Sequence, residues 1–213
     1  MKLSEFKKYF NVKLLNEKPV ARDGEWNQED EGYSISLMGL DSYYKLLMKL
    51  ETGGTKAELR RLDDTFVIGY IGADNPFKEN RFNIIFKLDT VDESIFFSKL
   101  GLSNILRVSS VLVAKNYRMR GLSTFVYKYI VNDLGYSIIS DFEQYFGARK
   151  LWSRLSKDSE IIVDVINIKD NVIIDKNVEL KHGKLNDEFD ERYWSKDLSK
   201  KDIRFILRKI KWL

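Results

Sequence analysis

The chain has 213 residues, of which 44% are hydrophobic, 13% aromatic and 32% charged, so it can bury a sizeable core and is not a disordered chain. The absence of cysteine excludes a disulfide scaffold, a thiolate metal site and a cysteine nucleophile, and the single histidine, His182, argues against a histidine zinc site or a serine-histidine-aspartate triad. No apolar run reaches the roughly 18 residues of a membrane span and the N-terminus does not resemble a signal peptide, so we expect a soluble, cytoplasmic protein without a membrane partner or a metal.

The net charge of +4 is concentrated at the end of the chain. Lys176–Leu213 contains 11 basic and 7 acidic residues, so the first 175 residues carry 25 of each sign. A body with balanced charge argues against a dedicated polyanion binder.

The first half of the chain predicts two kinds of element in turn. After a short helix in the first ten residues and a polar loop, alternation predicts a strand at Tyr33–Met38. Asp41 is placed to cap a helix that runs to Glu51 with the apolar stripe Tyr43, Leu46, Leu47 and Leu50. We then expect three successive antiparallel strands, at Ala57–Leu62, Thr65–Gly72 and Arg81–Leu88. A helix from about Glu93 to Leu100 should follow them.

The second half predicts a strand, a polar turn and a helix in direct succession, at Asn104–Ala114, Lys115–Gly121 and Leu122–Leu134. We expect the remaining elements to be a strand at Tyr136–Ser140, a helix at Gln144–Leu155, strands at Glu160–Ile168 and Val172–Val178, and an amphipathic helix at Ser199–Leu213. The apolar stripe of that last helix is Ile203, Ile206, Leu207 and Ile210. The whole pattern predicts an α+β fold, with a mixed sheet and helices packed on its faces.

The turn at Lys115–Gly121 has the composition of an anion-binding site. Helix N-termini leave backbone N–H groups unpaired and carry partial positive charge. Gly121 allows a ligand to approach the backbone closely, and Arg118 and Arg120 place two guanidinium groups beside it, which suits a pyrophosphate. The alternative is a plain strand-to-helix turn with two solvated arginines.

Two segments resemble the GNAT acyltransferase superfamily. The run Val113–Ser123 is similar to its acetyl-CoA-binding segment, in which a strand is followed by Arg/Gln-x-x-Gly-x-Gly/Ala and a helix; here Arg118 and Gly121 match and Ser123 replaces the last small residue. The run Ser140–Leu155 is similar to the next strand-and-helix block, and has a form that resembles phage-encoded members. With the strands on either side of them, the two segments span roughly Asn104–Ile168, about a third of the chain.

The resemblance implies a GNAT-like fold, whose mostly antiparallel sheet has a splayed central strand and flanking helices. It also implies that acetyl-CoA is the acyl donor. The residues expected to contact it are Leu112 and Val113 at the thioester arm, and Arg118, Met119, Arg120, Gly121, Leu122, Ser123 and Thr124 at the pyrophosphate. Gln144 is a further candidate for contact with the cofactor, the alternative being that it faces solvent. In this family an amine attacks the thioester directly, and the carbonyl oxygen is stabilised by hydrogen bonds.

The resemblance indicates the catalytic acid and the catalytic base less directly than the cofactor-binding residues. Many members use a tyrosine to protonate the leaving thiolate, but Trp152 stands at that position here, so we expect Tyr145 to substitute. The motif strand offers Ser109 and Ser110 and no carboxylate, which leaves Asp141 as the expected base, acting through water. The alternatives are a packing role for Tyr145 and a helix-capping role for Asp141.

These features predict an N-acetyltransferase whose acceptor is a small-molecule or protein amine. Residues 1–180 would form the acyltransferase-like domain with its N-terminal extension, and residues 181–213 a basic extension that ends in the amphipathic helix and packs on the same unit. Two alternatives stay open: a catalytically weak GNAT-fold binding or inhibitory protein, and a nucleic-acid-modifying enzyme, since Lys200–Leu213 has six basic residues and one acidic residue. The apolar stripe also leaves a homodimer open.

Overall fold

The structure is a computed structural model that describes residues 33–36, 40–52, 55–72, 81–95, 97–98, 104–141, 146–170, 172–180 and 202–210. Its strands are β1 (Tyr33–Ser36), β2 (Lys45–Thr52), β3 (Thr55–Leu62), β4 (Thr65–Ile71), β5 (Arg81–Asp92), β6 (Ile105–Val113), β7 (Ser137–Ile139), β8 (Ile161–Asn167), β9 (Val172–Asp175) and β10 (Ile203–Lys209). Its α-helices are the single turn α1 (Leu40–Tyr43), α2 (Leu122–Asn132) and α3 (Phe146–Leu155).

The described strands form one open sheet in the order β2-β3-β4-β5-β6-β7-β10-β8-β9, with β1 paired to β5. Every described pairing is antiparallel except that of β6 with β7, which α2 connects. A parallel pair requires such a crossover because the chain must return to the same end of the sheet. The α+β class with a mostly antiparallel sheet is therefore confirmed.

The main core lies between the sheet and the two long helices. Trp152 of α3 is 2% exposed, and its ring centroid lies 6.1 Å from that of Tyr127 in α2 and 5.7 Å from that of Phe205 in β10. A second cluster contains Ile139 and Ile206, whose chain neighbours Ile138 and Leu207 belong to the main core. Since successive side chains of a strand point to opposite faces, this cluster covers the face away from α2 and α3.

The predicted strands around the middle of the chain are confirmed. The three antiparallel strands after Gly54 are β3, β4 and β5, with the first two joined at Asp63 and Asp64, and the long β-rich run is β6. The strand predicted at Tyr33–Met38 is β1, and the closing pair is β8 with β9. The helix after the polar turn is α2, and beyond its end Gly135 takes a φ of 73°, a conformation that glycine adopts at little cost.

The helix predicted from Asp41 to Glu51 is wrong. Only the turn α1 forms there, and the rest is the edge strand β2. The register passes from Leu46 opposite Arg60 to Met48 opposite Leu59, so Leu47 is an extra residue in a β-bulge. The bulge breaks the two-residue alternation of the strand, and its apolar residues then recur at the spacing of a helix. Asp41 caps no long helix and instead forms an ion pair with Arg60 at 2.6 Å.

Two other predicted helices are also not found. At Glu93–Leu100 the described residues form turns, in which the Phe97 N–H donates to Glu93 O at 3.3 Å. The predicted amphipathic helix Ser199–Leu213 is wrong, because Ile203–Lys209 is the strand β10, inserted between β7 and β8. A strand buried on both faces is apolar at neighbouring positions, and such a run cannot be distinguished from a helix by periodicity alone.

None of the helices in the described part of the chain has the length and apolar character needed to cross a membrane.

Burial of β10 predicts that the last strand is required for stability. Ile206 is fully buried, whereas Ile174 in the edge strand β9 is 51% exposed. We expect Ile206→Ala to lower the free energy of unfolding by about 2–5 kcal/mol. The same change at Ile174 should cost less than about 1 kcal/mol. Urea unfolding of the two variants checks this, and equal midpoints for both would contradict the placement of β10.

Candidate functional site

The parallel strands β6 and β7 separate after a short contact and form a fork. Residues Ile105–Arg107 pair with Ser137–Ile139, and the pairing then stops while β6 continues to Val113. Beyond β7, Ser140 turns to β10 instead: its N–H donates to Phe205 O at 2.9 Å, and its hydroxyl accepts from Phe205 N–H at 3.1 Å. Among the described residues, nothing pairs with the end of β6 on the side of β7.

A β-bulge in β6 lies at the point where the fork opens. Asp89 of β5 is opposite Ser110 and Thr90 is opposite Val108, so Ser109 is the extra residue. A bulge bends its strand and increases the local twist, which accounts for the departure of β6 from β7 two residues after Arg107. The side-chain hydroxyl of Ser110 holds the bulge by donating to the Asp89 carboxylate at 2.8 Å.

The free edge of β6 presents main-chain groups to the fork. The Ala114 N–H donates to Ile85 O in β5 at 2.9 Å. Because the amide groups of successive residues in a strand point to opposite edges, those of Val113 and Val111 point into the fork. The Val113 carbonyl already accepts a bond from Arg118 Nε at 3.2 Å. The main chain of Leu112 faces β5, so any contact of Leu112 with a ligand in the fork would come from its side chain.

The segment between β6 and α2 is a tight turn with two residues in the left-handed region. A 3₁₀ turn at Lys115–Tyr117 comes first, and then Met119 has a φ of 62° and Gly121 a φ of 81°. Gly121 is the N-cap of α2, and a Cβ at this position would meet no atom within 4 Å. Glycine is favoured here by its φ and not by crowding.

The N-terminus of α2 lacks the usual side-chain partners. Gly121 has no side chain to cap it, and the first turn contains no acidic residue. The first bond within the helix is from Phe125 N–H to Gly121 O at 2.9 Å, so the amides of Leu122, Ser123 and Thr124 precede the helical ladder. Leu122 is buried in the core and fixes this end of the helix, while Ser123 and Thr124 are half-buried. The helix dipole adds positive potential at the same place.

Both predicted arginines lie in this turn and are exposed. Arg118 is bonded to the end of β6 through Val113 O, and the Arg120 guanidinium lies 5.0 Å from the ring centroid of Tyr117. Met119, between them, is 79% exposed. The structure thus brings together the fork edge, the uncapped amides and two guanidinium groups, which is the arrangement that a ligand with a phosphate end and an extended arm requires.

The predicted acid and base are only partly described. Tyr145 and Gln144 lie outside the described residues, as does His182. Asp141 lies just after β7, is half-buried and is close enough to Tyr127 and Arg204 to act on their charges. Burial, and then the Asp141 carboxylate, raise the pKa of Tyr127 above its usual value. Trp152, which the GNAT resemblance expects at the place of a catalytic tyrosine, is a buried core residue.

Two carboxylates near the fork were missed by sequence reasoning. Asp89 accepts bonds from Thr65 Oγ1, Lys87 Nζ and Ser110 Oγ, each at 2.8 Å. Glu93 accepts from Arg107 Nε at 2.5 Å. The sequence pattern ended the β5 strand at Leu88 and placed Glu93 in a helix, so only the register of β5 against β6 could have revealed both.

A cavity of about 820 Å³ lies where β6 and β7 part, on the sheet face away from α2 and α3. Arg107 and Ile139, the last residues of the parallel pair, both line it, together with Glu93, Phe97, Ile168 and Arg204. Burial lowers the pKa of the Arg204 guanidinium to about 10. Nowhere in the described ranges do three or more His, Cys, Asp or Glu side chains gather as a metal site would need.

Comparison with protein-family models, with curated proteins and with solved structures gave no match to this chain.

Proposed function

We propose that the chain is an acyl-CoA-dependent N-acyltransferase that moves an acetyl or similar acyl group to an amine. One observation carries the proposal: a bulged strand leaves its parallel neighbour and leads, through a turn with two arginines, into an uncapped helix N-terminus. The resemblance of Val113–Ser123 to GNAT proteins predicts a splayed strand followed by such a turn, in the same order. The similarity of local form supports a GNAT-like fold as part of the proposal.

The phosphate end of acyl-CoA fits the turn at the start of α2. The backbone N–H groups from Met119 to Thr124 would donate hydrogen bonds to the pyrophosphate, with Arg118 and Arg120 beside it. No acidic side chain lies in the first turn to repel it, and the space beside Gly121 is open. The extended arm of the ligand would then follow the free edge of β6, where the Val113 amide can donate to it.

The fork also brings the acceptor and the donor to one place. When bound, acyl-CoA supplies a thioester that an amine attacks directly, forming the C–N bond as the C–S bond breaks. Asp141, at the end of β7, would take the proton from the amine nitrogen, directly or through water. Tyr145 would return a proton to the leaving sulfur. The Val111 N–H, which also points into the fork and lies nearer to Asp141 along β6, would stabilise the developing charge on the carbonyl oxygen.

A second candidate is a binding protein that uses the same fold with little or no catalysis. The observation that favours it is the burial of Trp152 between Tyr127 and Phe205, which removes that position from the fork. Ligand binding without acyl transfer to any amine tested would favour this candidate.

Three of the six basic residues behind the nucleic-acid hypothesis, Arg204, Arg208 and Lys209, are described, and they give it no support because they lie in a strand and not on an exposed helix face. The other three, Lys200, Lys201 and Lys211, lie outside the described residues. Arg204 is 6% exposed, Arg208 Nε donates to Asp164 at 2.5 Å, and Lys209 Nζ donates to Asn132 O at 3.1 Å.

Replacement of Gly121 tests the pyrophosphate site. Gly121→Asp and Gly121→Asn place side chains of nearly equal size at the N-cap, and both residues tolerate a positive φ at a cost of roughly 1–2 kcal/mol. Only the aspartate adds a negative charge, so we expect it to bind acetyl-CoA at least about tenfold more weakly than the asparagine variant. Calorimetric titration measures both, with circular dichroism as the control for folding. Equal affinity of the two variants would remove the central support for the proposal.

Replacement of the arginines tests the charge of the turn. A hydrogen bond to a charged group contributes about 1.5–3 kcal/mol, so Arg118→Gln and Arg120→Gln should each weaken acetyl-CoA binding about tenfold or more. Arg154→Gln, at an exposed position in the last turn of α3, is the matched control and should have no effect. The loss should shrink as salt is added. If all three variants bind alike, the arginines take no part.

Turnover separates the proposed acid from the core tryptophan. Tyr145→Phe should lower kcat about 100-fold or more, because a phenyl ring cannot protonate a thiolate. Trp152→Phe should lower the free energy of unfolding by about 1–3 kcal/mol, because the residue is buried, and leave kcat per folded molecule unchanged. A thiol-release assay and thermal unfolding give the two quantities, and a silent Tyr145→Phe would leave water as the proton donor.

A further inference from the structure

The cavity where β6 and β7 part has two cationic groups in its wall. Arg107 comes from β6 and Arg204 from β10, on either side of the short strand β7, and Ile139 of β7 lies between them in the lining. Burial lowers the pKa of the Arg204 guanidinium, and the charge of Arg107 acts in the same direction. A wall of this kind attracts an anionic group such as a carboxylate.

The same wall contains the carboxylates of Asp92 and Glu93. Glu93 accepts from Arg107 Nε at 2.5 Å, with Glu93 25% and Arg107 31% exposed at their side chains. Across β7, the bond from Ser140 N–H to Phe205 O sets the register so that Asp141 falls opposite Arg204, whose charge it favours. Positive and negative groups therefore both lie at the narrow end of the fork, two of each in the cavity wall and Asp141 opposite Arg204.

Apart from Asp92 and Ser94, the rest of the described lining is apolar. Phe97, Ile139 and Ile168 line the cavity, and Ile95, which also lines it, is 93% exposed. A volume of about 820 Å³ lies within the roughly 300–1,000 Å³ typical of small-molecule sites, which are mostly apolar with a few polar groups that fix orientation.

We propose that this cavity is the acceptor site and that the acceptor is an amino acid or a close relative, a primary amine with a neighbouring carboxylate and an apolar side chain. The proposal rests on the function proposed above. The acceptor carboxylate binds Arg107 and Arg204, its amine faces Glu93 and Asp141, and its side chain contacts Phe97 and Ile168. The amine then lies at the narrow end of the fork, where the free edge of β6 begins.

The charge pattern selects a zwitterion over singly charged ligands. A cation alone would gain from the carboxylates, but it would bring no negative charge to offset the repulsion from the two guanidinium groups. An anion alone would compete with Glu93 for Arg107. A ligand with both charges satisfies both kinds of group, and partly buried charges without partners are costly.

Three probes of matched size test this selection by calorimetric titration of the full chain. L-norleucine has both charges and a linear apolar side chain, L-norleucinamide has only the positive charge, and hexanoate only the negative one. We expect norleucine to bind at least about tenfold more tightly than either of the others, since one charge-assisted hydrogen bond is worth about that factor. Equal or tighter binding of norleucinamide or hexanoate, or no saturable binding of norleucine, would overturn the proposal.

Two variants give a crossed pattern that a purely structural ion pair would not produce. Glu93→Gln should lose the advantage of norleucine over hexanoate and bind hexanoate more tightly, because the competing carboxylate is gone. Arg107→Gln should lose the advantage over norleucinamide and bind that amide more tightly. Glu51→Gln and Arg154→Gln, at exposed positions away from the cavity, are the matched controls and should leave all three affinities unchanged. If both cavity variants weaken the three probes equally, the ion pair is structural and the proposal is wrong.

A parallel titration with acetyl-CoA keeps the two proposals distinct. Norleucine binding with no acetyl-CoA binding would contradict the acyltransferase proposal and support the zwitterion site. Acetyl-CoA binding with no preference for norleucine would contradict only the zwitterion site.

Discussion

The β-bulge at Ser109 is the constraint on which the candidate site depends. Up to Arg107, β6 is paired on both edges, and after the bulge it is paired only with β5. The bulge is in turn held by Asp89, whose carboxylate also binds Thr65 and Lys87 on two neighbouring positions of the sheet. A few polar contacts among β4, β5 and β6 thus determine where the free edge of β6 begins. They thereby also determine where an extended ligand can lie.

The short strand β7 shows how the sheet supports the other arm of the fork. Three residues cannot hold a strand by themselves, and β7 is kept in place because β6 pairs with it on one side and β10 on the other. Trp152 packs against Phe205 of β10 and Tyr127 of α2, so the helix that presents the candidate phosphate site and the strand that supports β7 share one core contact. The open end of the fork is therefore framed by a rigid scaffold, which favours a preformed site.

The candidate phosphate site was largely predictable from sequence, because it is local. A strand, a polar turn with Gly121 and a helix follow one another within about thirty residues. The spacing of apolar and polar residues in a sequence indicates such neighbouring elements directly. The α+β class was predictable for the same reason. The strands β2 and β10 were not predictable, and the sequence pattern predicted helices there. The bulge at Leu47 and the burial of β10 on both faces, which produced that pattern, are set by distant strands. The carboxylates Asp89 and Glu93 were missed because their place depends on the register of β5 against β6. Tyr145 and Gln144 stay predictions.

The position of β10 has a consequence for how the chain folds during synthesis. Its partners β7 and β8 are complete more than thirty residues before Ile203 is made, and until β10 arrives each of them has an exposed edge next to apolar side chains. Non-local pairings of this kind slow folding, and unpaired edges favour association with other chains. The interval between synthesis of β8 and of β10 is thus the period in which the nascent chain most needs protection from aggregation.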